Sequence, residues 1–387
     1  MTVQDLEREV SRLEAHLAEV EASIPQHSTP PQLIAKLDEV EEQLEDARDR
    51  LAAQRQKENA QAESATVSPP PAVQDSVQEM KAVKRPALDD LDLNLGKRTR
   101  LHRLMYEHGP GNGTLMLLPI DQGMEHGPVD FFVNPPSADP KYQCRLARQG
   151  DYSGIVFHIG LATRYMRDYA GAVPLVLKLN GKTTIPSDAG AFSALAASVE
   201  DAVRLGADAV GYTLYVGSPA QDRDFEQMGK VRQDCERYGM PLIVWAYPRG
   251  SAIEAMGGRD SIYAVDYAAR LADEMGADIV KLNVPKFADA ANLESPAPYR
   301  KLYESWKGLD ENEAYRRAVE KIVASAGKTL VLFSGGSKMG DEDLLLKARL
   351  VMEAGATGLI FGRNMWQRPI DEGLAISAKV RELLLSF

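Results

Sequence analysis

The sequence predicts an α/β protein, a TIM (β/α)8 barrel with an N-terminal helical-hairpin (coiled-coil-like) extension. From about Leu88 onward, short apolar runs rich in β-forming residues alternate with amphipathic stretches, as in a parallel sheet with crossover helices. About eight such runs favour a barrel over a doubly wound sheet, which usually has fewer strands. In addition, no Gly-x-Gly-x-x-Gly follows the first run, and a small-residue phrase such as Gly276-Ala277-Asp278 introduces several of them.

The first element is a helix with one apolar stripe. Its apolar residues alternate steps of four and three, as a coiled-coil seam requires, at Leu6, Val10, Leu13, Leu17, Val20 and Ile24. A Pro-containing segment at 25–31 interrupts the pattern, which resumes from Leu33 to Leu51. The pattern predicts an αα-hairpin over residues 1–56, either for oligomer assembly or partner docking, or as an accessory cap without a specific partner.

A linker follows the hairpin. Residues 57–86 are rich in Gln, Ala, Glu, Ser and Pro and contain almost no large apolar residues, so we expect them to form a flexible tether. The barrel is then predicted over residues 87–387. Its candidate strands are 115–120, 154–157, 175–179, 209–214, 242–246, 279–282, 329–333 and 358–361.

Composition narrows the class of partner. A formal net charge of -11 argues against a nucleic-acid surface, so small molecules are the expected partners. The chain has two cysteines, Cys144 and Cys235, and neither a disulfide framework nor a thiolate metal site is indicated. No basic, apolar leader and no membrane-length apolar run is apparent, and we expect a cytoplasmic protein.

The polar residues at the strand ends predict the site, because reacting groups in such barrels lie at the carboxyl ends of the strands. Lys281 ends the apolar sixth strand, where a buried amine with a lowered pKa could attack a carbonyl and form a Schiff base. The alternative is a lysine paired with a carboxylate at the rim. Lys178, at the end of the third strand, competes for the same role, and spacing alone does not separate the two.

Two glycine-containing loops predict a phosphate site. Ser334-Gly335-Gly336 and Gly362-Arg363 follow the seventh and eighth strands, where barrel enzymes often hold phosphate with backbone N–H groups. Lys338 and Arg363 could add positive charge. The alternative is that these glycines only turn the chain.

The fifth and first strands contribute further candidates. Alternation places Trp245, Tyr247 and Arg249 on one face, where Tyr247 could transfer a proton and Arg249 could hold an anion. Asp121 follows the first strand and could steer a substrate hydroxyl, and His126 could bind an oxygen atom. The alternatives are a rim tyrosine, a tryptophan that fills the barrel, and a structural histidine.

These motifs together resemble the archaeal-type (DhnA-type) class I fructose-bisphosphate aldolases. The phrases that carry the resemblance are Asp121-Gln122-Gly123-Met124-Glu125-His126, Trp245-Ala246-Tyr247-Pro248-Arg249-Gly250, Val280-Lys281, Ser334-Gly335-Gly336 and Gly362-Arg363-Asn364. The resemblance covers about Leu88 to Phe387. It implies that Lys281 is the Schiff-base lysine and Tyr247 the proton-transfer tyrosine, and that Asp121 and Trp245 position the substrate.

The resemblance also orders the remaining candidates. It places Lys178 in a supporting electrostatic role, and a second cation there would depress the pKa of Lys281. Gln122 stands where the family commonly has histidine and is kept as a substrate contact, as is Asn283 beside Lys281. The glycine loops are the implied phosphate-binding loops. The resemblance also implies a homo-oligomer, with a decamer as the assembly suggested by the family, and neither a metal nor another cofactor is expected.

The expected function is reversible cleavage of fructose 1,6-bisphosphate to dihydroxyacetone phosphate and glyceraldehyde 3-phosphate, in glycolysis and gluconeogenesis. One alternative is another DhnA-type reaction on a phosphorylated ketose, such as an autoinducer-2 thiolase or a transaldol-type synthase. A second is a metal-dependent aldolase, which the scarcity of closely spaced histidines disfavours. The third is a non-catalytic assembly protein whose working part is the hairpin.

Overall fold

The computed structural model describes residues 3–22, 40, 43–44, 47, 51, 54, 85–336 and 339–387. The chain divides into two compact units, Met1–Glu79 and Met80–Phe387. Among the described residues, no helix is long and apolar enough to cross a membrane.

The first unit contains the predicted N-terminal helix, α1, at Val3–Ala22. Val10 and Leu13 on its apolar stripe form a buried cluster with Leu44 and Ala47. The stripe therefore packs within this unit at the described positions. Most of the predicted second helix, and the linker up to residue 84, lie outside the described residues, so the hairpin bounds stay a prediction.

The second unit is a closed barrel of eight parallel strands, which confirms the predicted fold class. The strands are β1 Leu115–Pro119, β2 Gly154–His158, β3 Leu175–Lys178, β4 Ala209–Val216, β5 Leu242–Pro248, β6 Ile279–Leu282, β7 Leu330–Ser334 and β8 Gly358–Ile360. Each strand pairs with the next along the chain, and β8 pairs with β1.

Helices surround the barrel and connect its strands. They are α2 Leu95–His102, α3 Gln122–Glu125, α4 Pro140–Gln149, α5 Ile159–Tyr165, α6 Val199–Arg204, α7 Gln221–Tyr238, α8 Ser251–Glu254, α9 Ile262–Glu274, α10 Asp289–Asn292, α11 Ala297–Trp306, α12 Glu311–Ser325, α13 Asp341–Glu353, α14 Arg363–Trp366 and α15 Ile370–Leu385. A π-helical turn, Arg103–Glu107, extends α2. Short 3-10 turns lie at Leu88–Asp90, Pro128–Phe131, Pro135–Ala138 and Arg167–Tyr169.

The inside of the barrel is a packed apolar core. Strand residues that alternate along each strand point inward, and Leu101, Leu104 and Met105 of the α2 region pack against them. The inward-facing strand residues of this core are Leu115, Leu117, Val156, Val176, Ala209, Ile243, Trp245, Ile279, Leu330, Leu332 and Ile360. Because this core fills the barrel interior, polar groups are confined to the barrel ends.

Two strands, β4 and β5, end two residues later than the sequence predicts. The pairing of β4 with β5 continues through Tyr215 with Tyr247 and Val216 with Pro248. Tyr247 therefore belongs to the strand, where neighbouring backbone restrains it. A short antiparallel pair, Asn180–Gly181 with Ala194–Leu195, was not predicted, because two-residue strands leave no periodic pattern in the sequence.

A buried ion-pair network joins α2 to the amino-terminal end of the barrel. Lys97 is 2% exposed, and its ammonium contacts the carboxylates of Glu236 and Asp278. Asp278 also accepts a hydrogen bond of 2.8 Å from the backbone N–H of Leu242 at the start of β5. The network therefore holds together the end of the barrel that is remote from the strand carboxyl ends.

We expect Lys97→Ala to destabilise the second unit by about 3 kcal/mol, because it leaves the buried carboxylate of Asp278 without its counter-charge. Urea unfolding followed by circular dichroism measures the change. Lys230→Ala is the control, since it removes an exposed ion pair with Glu226 and should leave the midpoint unchanged. Equal midpoints for both variants would contradict the account of this network.

Candidate active site

The carboxyl ends of the strands surround a cleft of about 1200 Å³. Lys281 follows the core residue Ile279 by two positions, and Tyr247 follows the core residue Trp245 by two. Alternate strand residues point to the same face, so both side chains point into this cleft. Among the described residues, all the predicted site residues except Lys178 line the cleft, namely Asp121, Gln122, His126, Trp245, Tyr247, Arg249, Lys281, Asn283, Ser334, Gly335, Gly336, Gly362 and Arg363. The topology thus gathers residues that are far apart in the sequence.

Lys281 is the central amine of the cleft. Its side chain is 6% exposed, and its Nζ donates a hydrogen bond to the hydroxyl of Tyr247 and lies 4.2 Å from the centre of that ring. Burial, assisted by the charges of Lys178 and Arg249 and opposed by nearby carboxylates, lowers the pKa of Lys281 to about 7. A large fraction of this amine is therefore neutral near pH 7 and able to act as a nucleophile.

Lys178 lies in the same strand-end layer but has a different environment. Its Nζ is 2.8 Å from Glu125 Oε1 and 3.3 Å from Asp121 Oδ2, and it lies 4.9 Å from the Trp245 ring centre. Burial would lower the pKa of Lys178, but the two carboxylates outweigh burial and raise it. Lys178 therefore remains a fixed cation beneath the cleft.

The same ion pairs determine the state of Asp121. Burial would raise the pKa of Asp121, but the ammonium of Lys178 is the largest of the opposing influences, which together hold that pKa below its ordinary range. Burial raises the pKa of Tyr247 well above its ordinary value, with Glu125 and Asp121 adding to the effect. The site thus combines a neutral amine, a protonated phenol and an ionised carboxylate.

Glu125 is a site residue that the sequence analysis missed. It lies four residues after Asp121, on the helical turn α3, so both carboxylates can reach one cation. This spacing was available in the sequence as a signal.

His158, at the end of β2, is buried, and both its ring nitrogens are unpaired among the described residues. Burial lowers the pKa of His158 to about 4, so its ring is neutral near pH 7.

The glycine loops after β7 and β8 form one wall of the cleft. A Cβ atom at Gly335 would lie 2.8 Å from Asn364 Nδ2, and one at Gly362 would lie 2.8 Å from Gln122 Nε2. A side chain at either position would therefore require its neighbours to shift. Gly336 has a φ of +65°, which favours glycine. Backbone N–H groups in such loops can approach a phosphate closely.

Asn364 and Arg363 connect the two loops. The side-chain oxygen of Asn364 accepts a hydrogen bond of 3.0 Å from the backbone N–H of Met339. The guanidinium of Arg363 donates to the Gly336 carbonyl at 3.3 Å. These contacts hold the loops together and keep a positive charge beside them. Lys338, the other predicted cation, lies outside the described residues.

Other predicted residues are engaged with acidic neighbours. His126 Nδ1 is 2.7 Å from Asp130 Oδ2, and Asn283 Nδ2 donates to Asp260 Oδ1 at 3.2 Å. Arg249 Nε donates to Asp188 Oδ2 at 2.9 Å. Asp188 and its second partner, Lys182, also line the cleft. They were missed because an irregular loop carries no periodic signal.

Among the described residues, no group of three or more His, Cys, Asp or Glu side chains could hold a metal ion.

Comparisons with known proteins agree with this geometry. A family model described as DeoC/LacD family aldolase matches residues 115–368. The class 1 fructose-bisphosphate aldolase of Thermoproteus tenax is 42% identical over 257 residues, which make up 66% of this chain and 84% of the relative. That of Halobacterium salinarum is 34% identical over 261 residues, with shares of 66% and 86%.

A solved structure is similar to most of this chain. It is an archaeal fructose-1,6-bisphosphate aldolase with its catalytic lysine covalently bound to the carbinolamine intermediate of the substrate. The two chains are 37% identical and superpose with a TM-score of 0.61, and the match covers 74% of this chain and 99% of the archaeal chain.

We expect Lys178→Met to raise the pKa of Lys281 above 7, because it removes a neighbouring cation and frees two carboxylates that favour the charged amine. The pH dependence of Lys281 labelling by an amine-reactive reagent, followed by peptide mass spectrometry, measures this change. Lys286→Met, at the exposed wall of the cleft, serves as the control. An unchanged labelling profile in Lys178→Met would show that the two lysines are electrostatically independent.

Proposed function

Because the chain belongs to the DeoC/LacD family of aldolases, and within it to the archaeal-type class I fructose-bisphosphate aldolases, we propose roles for its site residues in that reaction. The enzyme is a carbon–carbon lyase that cleaves fructose 1,6-bisphosphate reversibly to dihydroxyacetone phosphate and glyceraldehyde 3-phosphate. The observation that carries the assignment of roles is the hydrogen bond between a buried lysine of lowered pKa and a protonated tyrosine.

The first step is attack of the neutral Lys281 amine on the C2 ketone, which gives a carbinolamine and, with loss of water, an iminium ion. The positive iminium nitrogen accepts the electron pair of the C3–C4 bond when that bond breaks. The ionised carboxylate of Asp121 accepts the proton of the C4 hydroxyl, and glyceraldehyde 3-phosphate leaves. An enamine of dihydroxyacetone phosphate remains on Lys281. Burial, which lowers the pKa of Lys281, supports this role by keeping the amine neutral near pH 7.

Tyr247 then protonates the enamine carbon, and hydrolysis of the imine releases dihydroxyacetone phosphate. A phenol whose pKa is raised stays protonated before the step, and its contact with Lys281 Nζ supports its role as the proton donor to a carbon attached to that amine. Asp121 is ionised and assists at the substrate hydroxyl groups. Trp245 packs beneath the substrate, and Lys178 fixes Asp121.

The phosphates bind at the two walls of the cleft. The loops 334–336 and 362–363 hold the phosphate nearer Lys281, with Arg363 adding charge, and Gln122 and Asn283 contact the substrate beside them. Arg249 holds the distal phosphate across the cleft, and His126 contacts an oxygen atom of the substrate. Binding at both ends aligns C2 with the nucleophile.

The same cleft could accept other phosphorylated ketoses, so a substrate panel decides between the aldolase and the thiolase or transaldol-type alternatives. Family membership argues against the alternative of a non-catalytic assembly protein, because the relatives are aldolases. We place the enzyme in the cytoplasm, and the two free, buried cysteines are compatible with a reducing compartment.

We expect borohydride reduction in the presence of fructose 1,6-bisphosphate to attach the dihydroxyacetone phosphate moiety to Lys281. Lys281→Met should lose both the adduct and turnover, because the variant lacks the amine that forms the imine. Tyr247→Phe is the matched variant, which should still form the adduct while turnover falls by roughly 100-fold or more. Mass spectrometry locates the adduct, and a coupled assay measures turnover.

Undiminished activity of Lys281→Met would contradict the imine mechanism. Undiminished turnover of Tyr247→Phe would remove Tyr247 from proton transfer while leaving the imine in place. Cleavage of a different phosphorylated ketose, with no cleavage of fructose 1,6-bisphosphate, would overturn the substrate.

We also propose that the N-terminal unit joins subunits in a homo-oligomer, with the subunit number left to measurement. Deletion of residues 1–79 leaves Arg85, which donates to the Phe387 carbonyl at 3.3 Å. We expect light scattering to show a smaller assembly with turnover retained, because α1 and the cleft belong to separate units. An unchanged assembly mass would exclude this role.

A further inference from the structure

The loop that follows β3 contributes a charged flap to the cleft. Asn180–Gly181 pairs with Ala194–Leu195, so residues 182–193 project from a two-stranded base. The Asn180 amide donates to the Ser193 and Thr213 carbonyls at 3.2 and 2.9 Å, which fixes that base. Lys182, Thr184 and Asp188 of the flap line the cleft. The flap is therefore anchored at its base and brings charged groups to the site.

Two partly buried cations, Arg249 and Lys182, pair with one flap carboxylate, that of Asp188. Asp188 accepts hydrogen bonds from Arg249 Nε at 2.9 Å and from Lys182 Nζ at 2.8 Å. The Arg249 and Lys182 side chains are only 15% and 13% exposed, whereas that of Asp188 is 44% exposed. The carboxylate is the most exposed of the three partners and can turn toward water, whereas the Arg249 and Lys182 side chains are largely shielded from it.

A phosphate group can take the place of this carboxylate. Both groups present anionic oxygens that accept charge-assisted hydrogen bonds from guanidinium and ammonium groups. Burial would raise the pKa of Asp188, but Lys182 and Arg249 outweigh burial and lower it, so Asp188 is ionised near pH 7. An incoming phosphate and Asp188 therefore compete for the same pair of cations.

Arg249 and Lys182 lie on the side of the cleft that the distal phosphate of a bisphosphorylated ketose would reach. In the closed strand order β3 lies opposite β7, so the flap faces the glycine loop 334–336 across the mouth. The Tyr247 ring lies between the two charges, 5.2 Å from Arg249 Cζ and 4.2 Å from Lys281 Nζ. A ketose attached to Lys281 with one phosphate on the glycine loops would extend its other phosphate toward Asp188.

We propose that Asp188 occupies the distal-phosphate position of the free enzyme and sets the affinity for bisphosphorylated ketoses, because the distal phosphate must displace it from Arg249 and Lys182. This inference rests on the proposed function. A ketose with a single phosphate leaves the Asp188 ion pairs intact. Only binding of the bisphosphate requires that these ion pairs break.

The test compares wild type with Asp188→Asn and Asp188→Ala on fructose 1,6-bisphosphate and fructose 1-phosphate. Both variants should lower the KM for the bisphosphate by roughly fivefold, as expected for loss of one competing, partly exposed carboxylate that pairs with both cations. The KM for the monophosphate should not change. Asp151→Asn, which removes a partly exposed carboxylate paired with Arg381, is the matched control and should behave as wild type.

A raised or unchanged KM for the bisphosphate would overturn the proposal, since it would mean that Asp188 orders the cations for substrate. Equal changes for both substrates would overturn it as well, because they would indicate a general structural effect.

Calorimetry with inorganic phosphate gives a readout that does not need turnover. Asp188→Asn should bind phosphate more tightly than wild type, and the gain should vanish in Arg249→Met/Asp188→Asn. Persistence of the gain in the double variant, or no gain in the single variant, would overturn the proposal. Failure of the wild-type enzyme to cleave either ketose would contradict the proposed function. In that case the calorimetry would still test the role of Asp188.

Discussion

The site of this protein depends on the different partners of two buried lysine side chains in the mouth of one barrel. Lys178 contacts both Asp121 and Glu125, whereas the hydrogen-bond partner of Lys281 is the phenol of Tyr247. Burial acts on both lysines in the same direction. The partners decide the outcome: carboxylates keep Lys178 charged, and the phenol leaves burial to dominate at Lys281.

The barrel brings both lysines to its mouth because the alternation of inward-facing residues continues from the apolar core to the polar residues at the strand ends. Val176 and Ile279 belong to the core, and two residues later the same faces carry Lys178 and Lys281. Pairing of Trp245 with Lys281 fixes β5 against β6, which brings Tyr247 beside the amine. The packed core and the Lys97 network close the other end of the barrel, so the site opens at the carboxyl ends of the strands.

The sequence predicts those parts of the site that strand periodicity controls. All eight strands were predicted within two residues of their ends, and with them the gathering of Asp121, Tyr247, Lys281 and the glycine loops. Periodicity could not distinguish Lys178 from Lys281, because both end inward-facing strands and differ only in contacts made by other parts of the chain. The ion pairs of Asp188 were likewise beyond prediction, since a flap on two-residue strands leaves no pattern. Glu125 could have been found from its spacing to Asp121.

The most direct test of this account is a site-resolved pH titration of Lys281 and Lys178 in the wild-type enzyme, by NMR of ε-labelled lysine with assignment by Lys→Met variants. The account predicts that Lys281 loses its proton near pH 7, while Lys178 stays charged beyond the ordinary lysine pKa of 10.5. A Lys281 that stays charged up to about pH 10, as an unperturbed lysine does, would contradict it.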